Sequence, residues 1–471
     1  MLLSVSLMQA QTSRTGYFME NYSYRYMANP AFAPTHGFIS VPLLGNLETS
    51  FNTNSGASDF FFPLSDGSLG TFLHPEISSD LFLNGLQDFT SLGHDLDMGI
   101  LNAGFYVGRN FFTVGINLHE DFSADVPKDA FALLKQRMDN GTKTYHIQGL
   151  NAVANAYADI SLGMSTDIFD NLRVGGRLKL LLGIAAADLN VSKLDASMSD
   201  ELWQTDAVID ANVYGRGIEF ELEDESPHYV SGVRETGDYG IAGTGFAVDL
   251  GVTYEPIEHL VLSVAVTDLG TMSWKQSATN KLQSRCKTTI SGIDNLTKED
   301  FESGSTTFED YMNGIGEDLE KLIKFNQLEA TEGGSSQLRT TFTAGLEYGF
   351  LQNRLGAGLL YENVANPVGD NLSDLTVSAN LRFIKAVQFS ASYTFSNYGN
   401  GLGLALGIGQ VFFISVDNWS PRMTPQGLPL NASNPTVSLG LNIPFGKKDC
   451  SRRSPGTLGY FGSFADIFGW N

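Results

Sequence analysis

Apolar and polar residues alternate strictly over long segments of this chain. The segment 436–445, TVSLGLNIPF, sets one apolar series against small and polar residues, and that series is Val437, Leu439, Leu441, Ile443 and Phe445. The same alternation recurs in FAVDLGVTY (246–254), TFTAGLEYGF (341–350), LTVSANLRF (375–383) and VQFSASYTF (387–395). Because successive side chains of a strand point to opposite faces, each segment predicts a strand with one apolar and one polar face.

Two architectures accommodate such strands. A soluble sandwich turns its apolar face inward and uses strands of about five or six residues. A transmembrane barrel turns that face toward lipid, needs about 9–11 residues per strand and carries aromatic residues near the interfaces. Here the alternation is long, aromatic residues stand at its ends, and Gly, Ser and Thr dominate the other face, which favours the barrel. Charged residues on the polar face are then predicted to face the lumen, and these are Asp249, Glu347, Arg177, Lys179 and Arg382.

The connections between these segments are of two kinds. Short links are predicted at 108–111, 169–172, 255–259, 351–354 and 384–386, and long polar segments at 54–95, 123–148, 190–242 and 274–337. Bacterial outer-membrane barrels have this asymmetry, with short periplasmic turns and long extracellular loops. We therefore expect an all-β fold, a transmembrane antiparallel β-barrel of about 14 strands (14–16) over residues 37–446. At 203–223, AVIDANVYG and GIEFEL are compatible with a hairpin that extends above the membrane.

The long loops contain two helical patterns. Residues 125–141 predict a short helix with Phe131, Leu134 and Met138 on one face and Gly141 at its end. Residues 307–325 carry a second apolar stripe, weakened by two glycines. These stripes either pack on the barrel wall and neighbouring loops or grip a ligand or partner.

Both ends of the chain differ from the strands. Residues 1–10 resemble the apolar region and cleavage site of a secretory signal peptide, truncated at its start. Residues 11–36 are rich in aromatic residues without alternation and are predicted to form a plug in the lumen. Residues 447–471 are expected to be a disordered periplasmic tail. Cys286 falls in a predicted extracellular loop and Cys450 after the last strand, so we expect no disulfide between them.

Charge and motifs limit the function classes. The net charge of −23 argues against nucleic acid as a partner, since 52 acidic residues outweigh 29 lysines and arginines. The sequence has no P-loop, nucleophile elbow or HExxH motif, so no catalytic residue, cofactor or metal site is predicted. His119, beside Glu120 and Asp121, is interpreted as part of a polar rim. Glu219, Glu221 and Glu223 are interpreted as a solvated acidic loop.

Three short motifs point to a known group of proteins. Asn29-Pro30-Ala31 near the N-terminus, Pro127-Lys128-Asp129 at a strand-to-helix junction and Asp268-Leu269-Gly270 at a strand end resemble outer-membrane barrels of the FadL-like fatty-acid transporter superfamily and PorV-type secretion barrels. The similarity is diffuse over residues 20–446. It implies a barrel of about 14 strands with an N-terminal lumenal segment, in which Asn29, Pro30 and Ala31 are plug candidates. It does not separate transport from secretion scaffolding, because one fold hosts many functions.

These observations predict a non-enzymatic barrel of the Gram-negative outer membrane. It would bind or transport a hydrophobic or small ligand and be gated by the N-terminal plug. The alternative is a scaffold or adaptor barrel whose loops engage a surface or secretion partner. Other expected partners are outer-membrane lipid and the barrel assembly machinery, which would read the closing strand 436–445. An apolar pocket in the lumen would favour transport, and a lumen filled by side chains would favour the scaffold.

Overall fold

A computed structural model describes residues 13–74, 76–136, 143–199, 202–224, 229–291, 323–384, 386–420, 422 and 430–446. The strands are β1 Gly37–Ser40, β2 Leu47–Thr53, β3 Phe61–Pro63, β4 Leu69–Thr71, β5 Phe89–Val107, β6 Asn110–Pro127, β7 Lys143–Ile147, β8 Leu150–Phe169, β9 Leu172–Met198, β10 Leu202–Gly215, β11 Ile218–Leu222, β12 Val230–Glu235, β13 Gly243–Ile257, β14 Leu260–Trp274, β15 Thr279–Ser291, β16 Asn326–Leu328, β17 Ser335–Gln337, β18 Thr341–Phe350, β19 Leu355–Val364, β20 Leu372–Ile384, β21 Val387–Ser396, β22 Gly401–Ile408, β23 Phe412–Trp419 and β24 Thr436–Phe445. The α-helices are α1 Arg25–Ala28, α2 Ala57–Phe60, α3 Ser79–Gly85 and α4 Lys128–Gln136, and a 3-10 turn covers Gln276–Ala278.

The strands close into a 14-stranded antiparallel barrel, as the sequence predicted. The wall is formed in chain order by β1 with β2, then β5, β6, β8, β9, β13, β14 and β18 to β24. The last strand returns to the first, since β24 pairs with β1 from Gly37 opposite Phe445 and with β2 from Leu47 opposite Leu439. Closure leaves every wall strand with two neighbours, so its backbone groups are paired within the barrel.

The two faces of the wall differ as the alternation predicts. Outward apolar side chains are exposed, for example Leu162 at 59% and Leu178 at 63%, whereas the inward Ser390 and Thr394 are 0% exposed. This places the apolar face outside, which is the opposite of a soluble sandwich. No helix within the described ranges has the length and apolar character needed to cross a membrane.

The barrel has a short-turn end and a long-loop end. Turns of two to four residues join β5 to β6, β8 to β9, β13 to β14, β18 to β19, β20 to β21 and β22 to β23. β5, β6, β8 and β9 have 19, 18, 20 and 27 residues, and β5, β6 and β9 continue at the long-loop end into segments predicted as loops. The wall therefore rises higher on this side of the barrel.

The segment 203–223 does not form the hairpin considered from sequence. Its first half lies in β10, which pairs with the upper part of β9 on one side and with β15 on the other. Its second half is β11, which pairs with β12 in a separate small sheet. Alternation and turn residues identified the strands, but a strand's partner depends on contacts far along the chain.

An aromatic cluster forms a small core at the long-loop end. It contains Phe72, Phe82 and Phe131, and the rings of Phe72 and Phe82 stack with centroids 4.3 Å apart. The predicted helix is confirmed as α4, and its Phe131 and Leu134 pack into this cluster. This favours the loop-packing interpretation of the stripe. Met138, Gly141 and most of the second predicted helix lie outside the described residues.

Candidate functional site

Residues 13–34 lie inside the barrel; they begin beside Asp374 and Asp417 and continue into the lumen toward the short-turn end, where Phe18 meets Arg382. Their side chains are almost fully buried, with Tyr17, Tyr22 and Tyr24 at 1%, 1% and 0% exposure. The ring of Tyr22 stacks on Phe413 of β23 at 3.8 Å, and Tyr24 meets Phe38 of β1 edge-on at 5.4 Å. We call these residues the lumenal segment. Its aromatic side chains thus pack against the inner wall.

Polar contacts hold the start of the lumenal segment. The guanidinium of Arg14 forms an ion pair with Asp374 on β20, and its Nη2 donates to Thr436 Oγ1 at 2.8 Å. The backbone N–H of Thr15 donates to Asp417 Oδ1 at 2.6 Å. Arg14 and Asp374 are 1% exposed each, so this is a charge pair removed from water. Breaking one partner of such a pair is costly, because the other charge stays buried.

Glu48 of β2 ties two parts of the segment together. Its Oε1 accepts from the backbone N–H of Ser13 at 3.0 Å and from the hydroxyl of Tyr22 at 2.7 Å. Further along, the Tyr24 hydroxyl donates to Asn442 Oδ1 of β24 at 2.5 Å. The segment is therefore held to the wall strands near the barrel closure by directed hydrogen bonds as well as by packing.

The three plug candidates lie where the segment crosses to the opposite wall. Asn29 and Ala31 are both 0% exposed, and Asn29 Oδ1 accepts from the N–H of Ala31 at 2.9 Å. Asn29 Nδ2 donates to the carbonyls of Val252 and Val264 at 3.4 Å each, on β13 and β14. The Asn29 side chain thus stabilises the turn to Ala31 and joins that turn to two wall strands.

Two inward glycines make room for this crossing. A Cβ on Gly175 would lie 2.1 Å from the carbonyl oxygen of Pro30, and one on Gly251 would lie 2.1 Å from Asn29 Oδ1. Any side chain at these positions would collide with the segment. The glycines of the polar face, which the sequence marked only as small, therefore include positions where two backbones meet.

The five predicted lumen-facing charges occupy two places. Arg177 Nε lies 2.8 Å from Asp249 Oδ2, and Lys179 Nζ lies 3.1 Å from the same oxygen. Lys179 also lies 2.5 Å from Asp268 Oδ1, a partner that the sequence did not indicate. The side chains of Arg177, Lys179 and Asp249 are nearly fully buried, whereas that of Asp268 is 29% exposed.

The other two predicted charges, Glu347 and Arg382, form an ion pair with each other nearer the short-turn end. Arg382 Nη2 also donates to the carbonyl of Phe18 at 3.0 Å, and its Nη1 donates to Asn353 Oδ1 at 3.0 Å. This pair therefore holds the lumenal segment, whereas the Arg177 group borders open space above it.

That open space is a cavity between the lumenal segment and the long-loop end. It measures about 940 Å³ including the part open to solvent, and Met27 and Ala28 of the segment border it. Its ionisable lining consists of Glu48, Asp95, Asp97, Glu120, Asp121, Asp268, Glu362, Arg177, Lys179, Arg339 and His119. Seven carboxylates against three arginine or lysine side chains make this an acidic, polar cavity.

His119 bridges two carboxylates at the cavity wall. Its Nε2 lies 2.6 Å from Asp159 Oδ2, its Nδ1 contacts Asp97, and its ring stacks on Tyr157 at 4.8 Å. The sequence placed His119 in a polar rim beside Glu120 and Asp121. The structure instead pairs it across strands, since Asp97 and Tyr157 are its direct neighbours on β5 and β8. Only the strand register could have indicated this group.

The closing strand β24 keeps its alternation. Ile443 is 60% exposed, Val437, Leu439, Leu441 and Phe445 are half-buried, and the intervening Ser438 and Asn442 are buried. Cys286 lies on β15 at the long-loop end, and Cys450 lies outside the described residues. Within the described ranges, no group of His, Cys, Asp and Glu has an arrangement suited to a metal ion.

Comparison with known proteins gives a family and distant structural similarity. The crystal structure of the toluene transporter TbuX from Ralstonia pickettii is similar at 9% identity and a TM-score of 0.42, covering 89% of this chain and 93% of that one. That of the toluene transporter TodX from P. putida is similar at 10% identity and a TM-score of 0.38, covering 93% and 96%. No curated protein sequence matches. A family model, described as a family of unknown function (DUF5723), matches residues 30–417, and the chain therefore belongs to that family.

Proposed function

We propose that this protein is a non-enzymatic barrel of the Gram-negative outer membrane that binds a small ligand in the acidic cavity and passes it inward when the lumenal segment moves. The observation that carries the proposal is the position of the cavity, which lies directly above the segment and is bordered by Met27 and Ala28. A ligand that enters from the long-loop end meets the lumenal segment below the cavity and can go no further while the segment stays in place.

The exterior supports the membrane location. Exposed leucine, isoleucine, valine and phenylalanine side chains cover the outer face of the wall strands, and small or polar residues face the lumen. A hydrocarbon environment accepts such an outer face, and only a closed barrel keeps all strand backbones paired there. The long-loop end then faces outside the cell and the short-turn end the periplasm.

The lining of the cavity favours a small polar ligand over a hydrophobic one. The side chains that border the space are mostly carboxylates and their cationic neighbours. An apolar ligand would take water away from these groups without replacing its hydrogen bonds, which is unfavourable. A polar ligand can make the hydrogen bonds that water otherwise makes. Of the two ligand classes considered from the sequence, the small one fits this cavity.

Gating by the segment can be tested with a reversible cross-link. A Cβ on Gly407 of β22 would lie 3.0 Å from the Cβ of Asn21, close to the spacing that a disulfide requires. We would introduce Asn21→Cys and Gly407→Cys together in a chain carrying Cys286→Ser and Cys450→Ser. Arabinose uptake into proteoliposomes is expected to stop when the pair is oxidised and to recover after dithiothreitol.

The Asn21→Cys single variant is the matched control and should be indifferent to oxidation. Equal uptake by the oxidised and reduced double variant, with the disulfide verified by mass spectrometry, would contradict gating by this segment.

A scaffold function is the second candidate, because the lumenal segment packs the short-turn half of the lumen closely. The upper parts of β9, β10 and β15 also extend the wall beyond the strands that close the barrel. A barrel that never opens would use these elements to hold a protein partner. In that case the segment would be a permanent part of the core, and the cross-link would change nothing.

A further inference from the structure

One wall of the cavity carries buried polar groups without partners. Glu362 and Thr343 are 5% and 2% exposed, and the Arg339 side chain is 9% exposed. Within the described part of the chain, no hydrogen-bond partner is found for Glu362 Oε1, Thr343 Oγ1, or Arg339 Nε and Nη2. All three side chains border the same cavity. Buried polar atoms are nearly always paired in folded proteins, so a cluster of exceptions in a cavity indicates a ligand.

The strand register brings these groups together. Thr343 of β18 lies directly opposite Glu362 of β19, so both project inward from neighbouring strands. Arg339, Thr341 and Thr343 follow each other at every second position, and all three border the cavity. A guanidinium, a hydroxyl and a carboxylate therefore follow one another along a single inner wall.

The free atoms of Arg339 form one complete edge of its guanidinium. Its Nη1 is taken by an ion pair with Asp95 of β5, which leaves Nε and Nη2. Two parallel N–H groups on one edge are the geometry that binds a carboxylate through two hydrogen bonds. Asp95 thus fixes the arginine from one side and leaves the other edge directed to an anionic group.

Glu362 supplies the opposite charge. It forms no ion pair of its own among the described residues. The cations near it are committed elsewhere, since Arg14 pairs with Asp374, directly opposite Glu362 on β20, and Arg339 pairs with Asp95. Further carboxylates of the lining, such as Glu120 and Asp121 on β6, add to the negative potential in the cavity. An ammonium group would be attracted here, and Thr343 Oγ1 can accept a hydrogen bond from it or donate one to a carbonyl.

We propose that the cavity binds a small zwitterion, an amino acid or short peptide, with its carboxylate on the free edge of Arg339 and its ammonium on Glu362. This rests on the proposed function, of which it names the ligand class. A ligand with both charges satisfies the two unpaired groups together, whereas a simple cation or anion satisfies one of them.

The proposal can be tested on the full-length protein in detergent micelles. The probe is an equimolar mixture of dipeptides with free ends, with binding read by native mass spectrometry. The same mixture with acetylated amino ends, and again with amidated carboxyl ends, removes one charge at a time. We expect the free dipeptides to bind and each blocked mixture to bind at least tenfold more weakly.

Two variants assign the ends of the ligand. Glu362→Gln should bind free and acetylated dipeptides equally, because the group that recognises the ammonium is gone. Arg339→Lys keeps the charge opposite Asp95 but loses the two-point edge, and it should discriminate less against the amidated mixture. Glu258→Gln, in a turn where the side chain is 88% exposed, is the control and should behave as the unaltered protein.

Equal binding of free and acetylated mixtures to the unaltered protein would overturn the proposal, and so would binding of amines irrespective of the carboxylate. Absence of dipeptide binding together with cross-link-dependent arabinose uptake would reject the zwitterion and leave the proposed function standing. Dipeptide binding without gated uptake would reject passage and support the zwitterion site.

Discussion

The two halves of the lumen are built differently. Toward the short-turn end, the lumenal segment fills the space, and Arg382 pairs with Glu347 and donates to the carbonyl of Phe18. Toward the long-loop end, the wall strands continue but surround a cavity in which Glu362 and part of Arg339 are unpaired. Within the described residues, single unpartnered atoms also occur around the segment, for example Arg382 Nε, but Arg339, Thr343 and Glu362 combine theirs around one cavity.

Glycines and charged residues also have different roles in the two halves. In the filled half, Gly175 and Gly251 let the segment approach the wall. In the open half, ion pairs such as that of Arg177 and Asp249 fix side chains at the border of the cavity. In the filled half, close packing leaves no room for added side chains. In the open half, ion pairs maintain a defined polar surface that faces solvent.

The largest expected effect is the loss of Arg14. Arg14→Met leaves Asp374 buried without its cation, and removal of one partner from a buried pair costs about 3–5 kcal/mol. We expect the free energy of unfolding in urea to fall by about that amount, and protease to reach the segment. Arg216→Met removes the exposed pair with Asp238, where the side chains are 40% and 67% exposed.

Exposed pairs contribute about 0–1 kcal/mol, so Arg216→Met should be nearly neutral. Similar losses for the two variants would mean that the lumenal segment is not a stabilising part of the fold. The comparison between the buried lumenal segment and the solvated surface would then fail.

A smaller effect is expected from a pair of neighbouring glycines on β9. Gly175→Ala places a methyl group 2.1 Å from the carbonyl oxygen of Pro30, whereas Gly176→Ala points outward, with its nearest atoms at 3.7 Å. Overpacking costs about 1–3 kcal/mol. We expect Gly175→Ala to lower the free energy of unfolding by that amount and to raise arabinose uptake, because the segment is displaced.

Gly176→Ala should leave both measurements unchanged, because its methyl group lies on the outer face of the same strand and does not meet the lumenal segment. If Gly175→Ala destabilises the barrel without raising uptake, the segment is packing alone and does not control passage. Equal effects of the two substitutions would indicate a general intolerance of β9 to side chains.

The sequence predicted the membrane-facing part of the fold well. Lipid on one side of a strand and the lumen on the other require apolar and polar side chains to alternate at every second residue. Leu178 and Arg177 are neighbours with opposite environments, at 63% and 4% exposure, as an alternating strand requires. The upper parts of β5, β6 and β9 were predicted as loops. On β9 these residues still have an apolar face, because Val191, Leu194 and Met198 pack in a core with Trp203 and Ile209 of β10. That core depends on how distant strands come together, so the local pattern did not reveal it.

The site was predictable only in part, for a related reason. Inward charges such as Asp249 and Lys179 follow from the face of their strand, but their partners follow from the register. His119 meets Asp97 and Tyr157, and Thr343 meets Glu362, through strand pairs separated by 19 or more residues. The position of the lumenal segment depends on the same register, since Pro30 meets Gly175 only in the closed barrel.

The smallest expected effect concerns Asp206 and its two lysine partners, which lie on the strands that rise above the barrel. Hydrogen bonds from Lys193 and Lys287 lower the pKa of Asp206 on β10 below its usual value of 3.8. A carboxyl group with a lowered pKa in the folded state stabilises that state above its ordinary pKa, and this contribution disappears as the pH falls through the lowered pKa. Because the pair is exposed, the effect on the whole protein should be slight.

Hydrogen exchange of β9, β10 and β15 should accelerate below about pH 4 in the unaltered protein and depend less on pH in Asp206→Asn. Exchange in β20 to β24, which contact the lumenal segment, should not follow Asp206. If those strands opened together with β10, the rising wall and the filled half would form one cooperative unit rather than two regions of different stability.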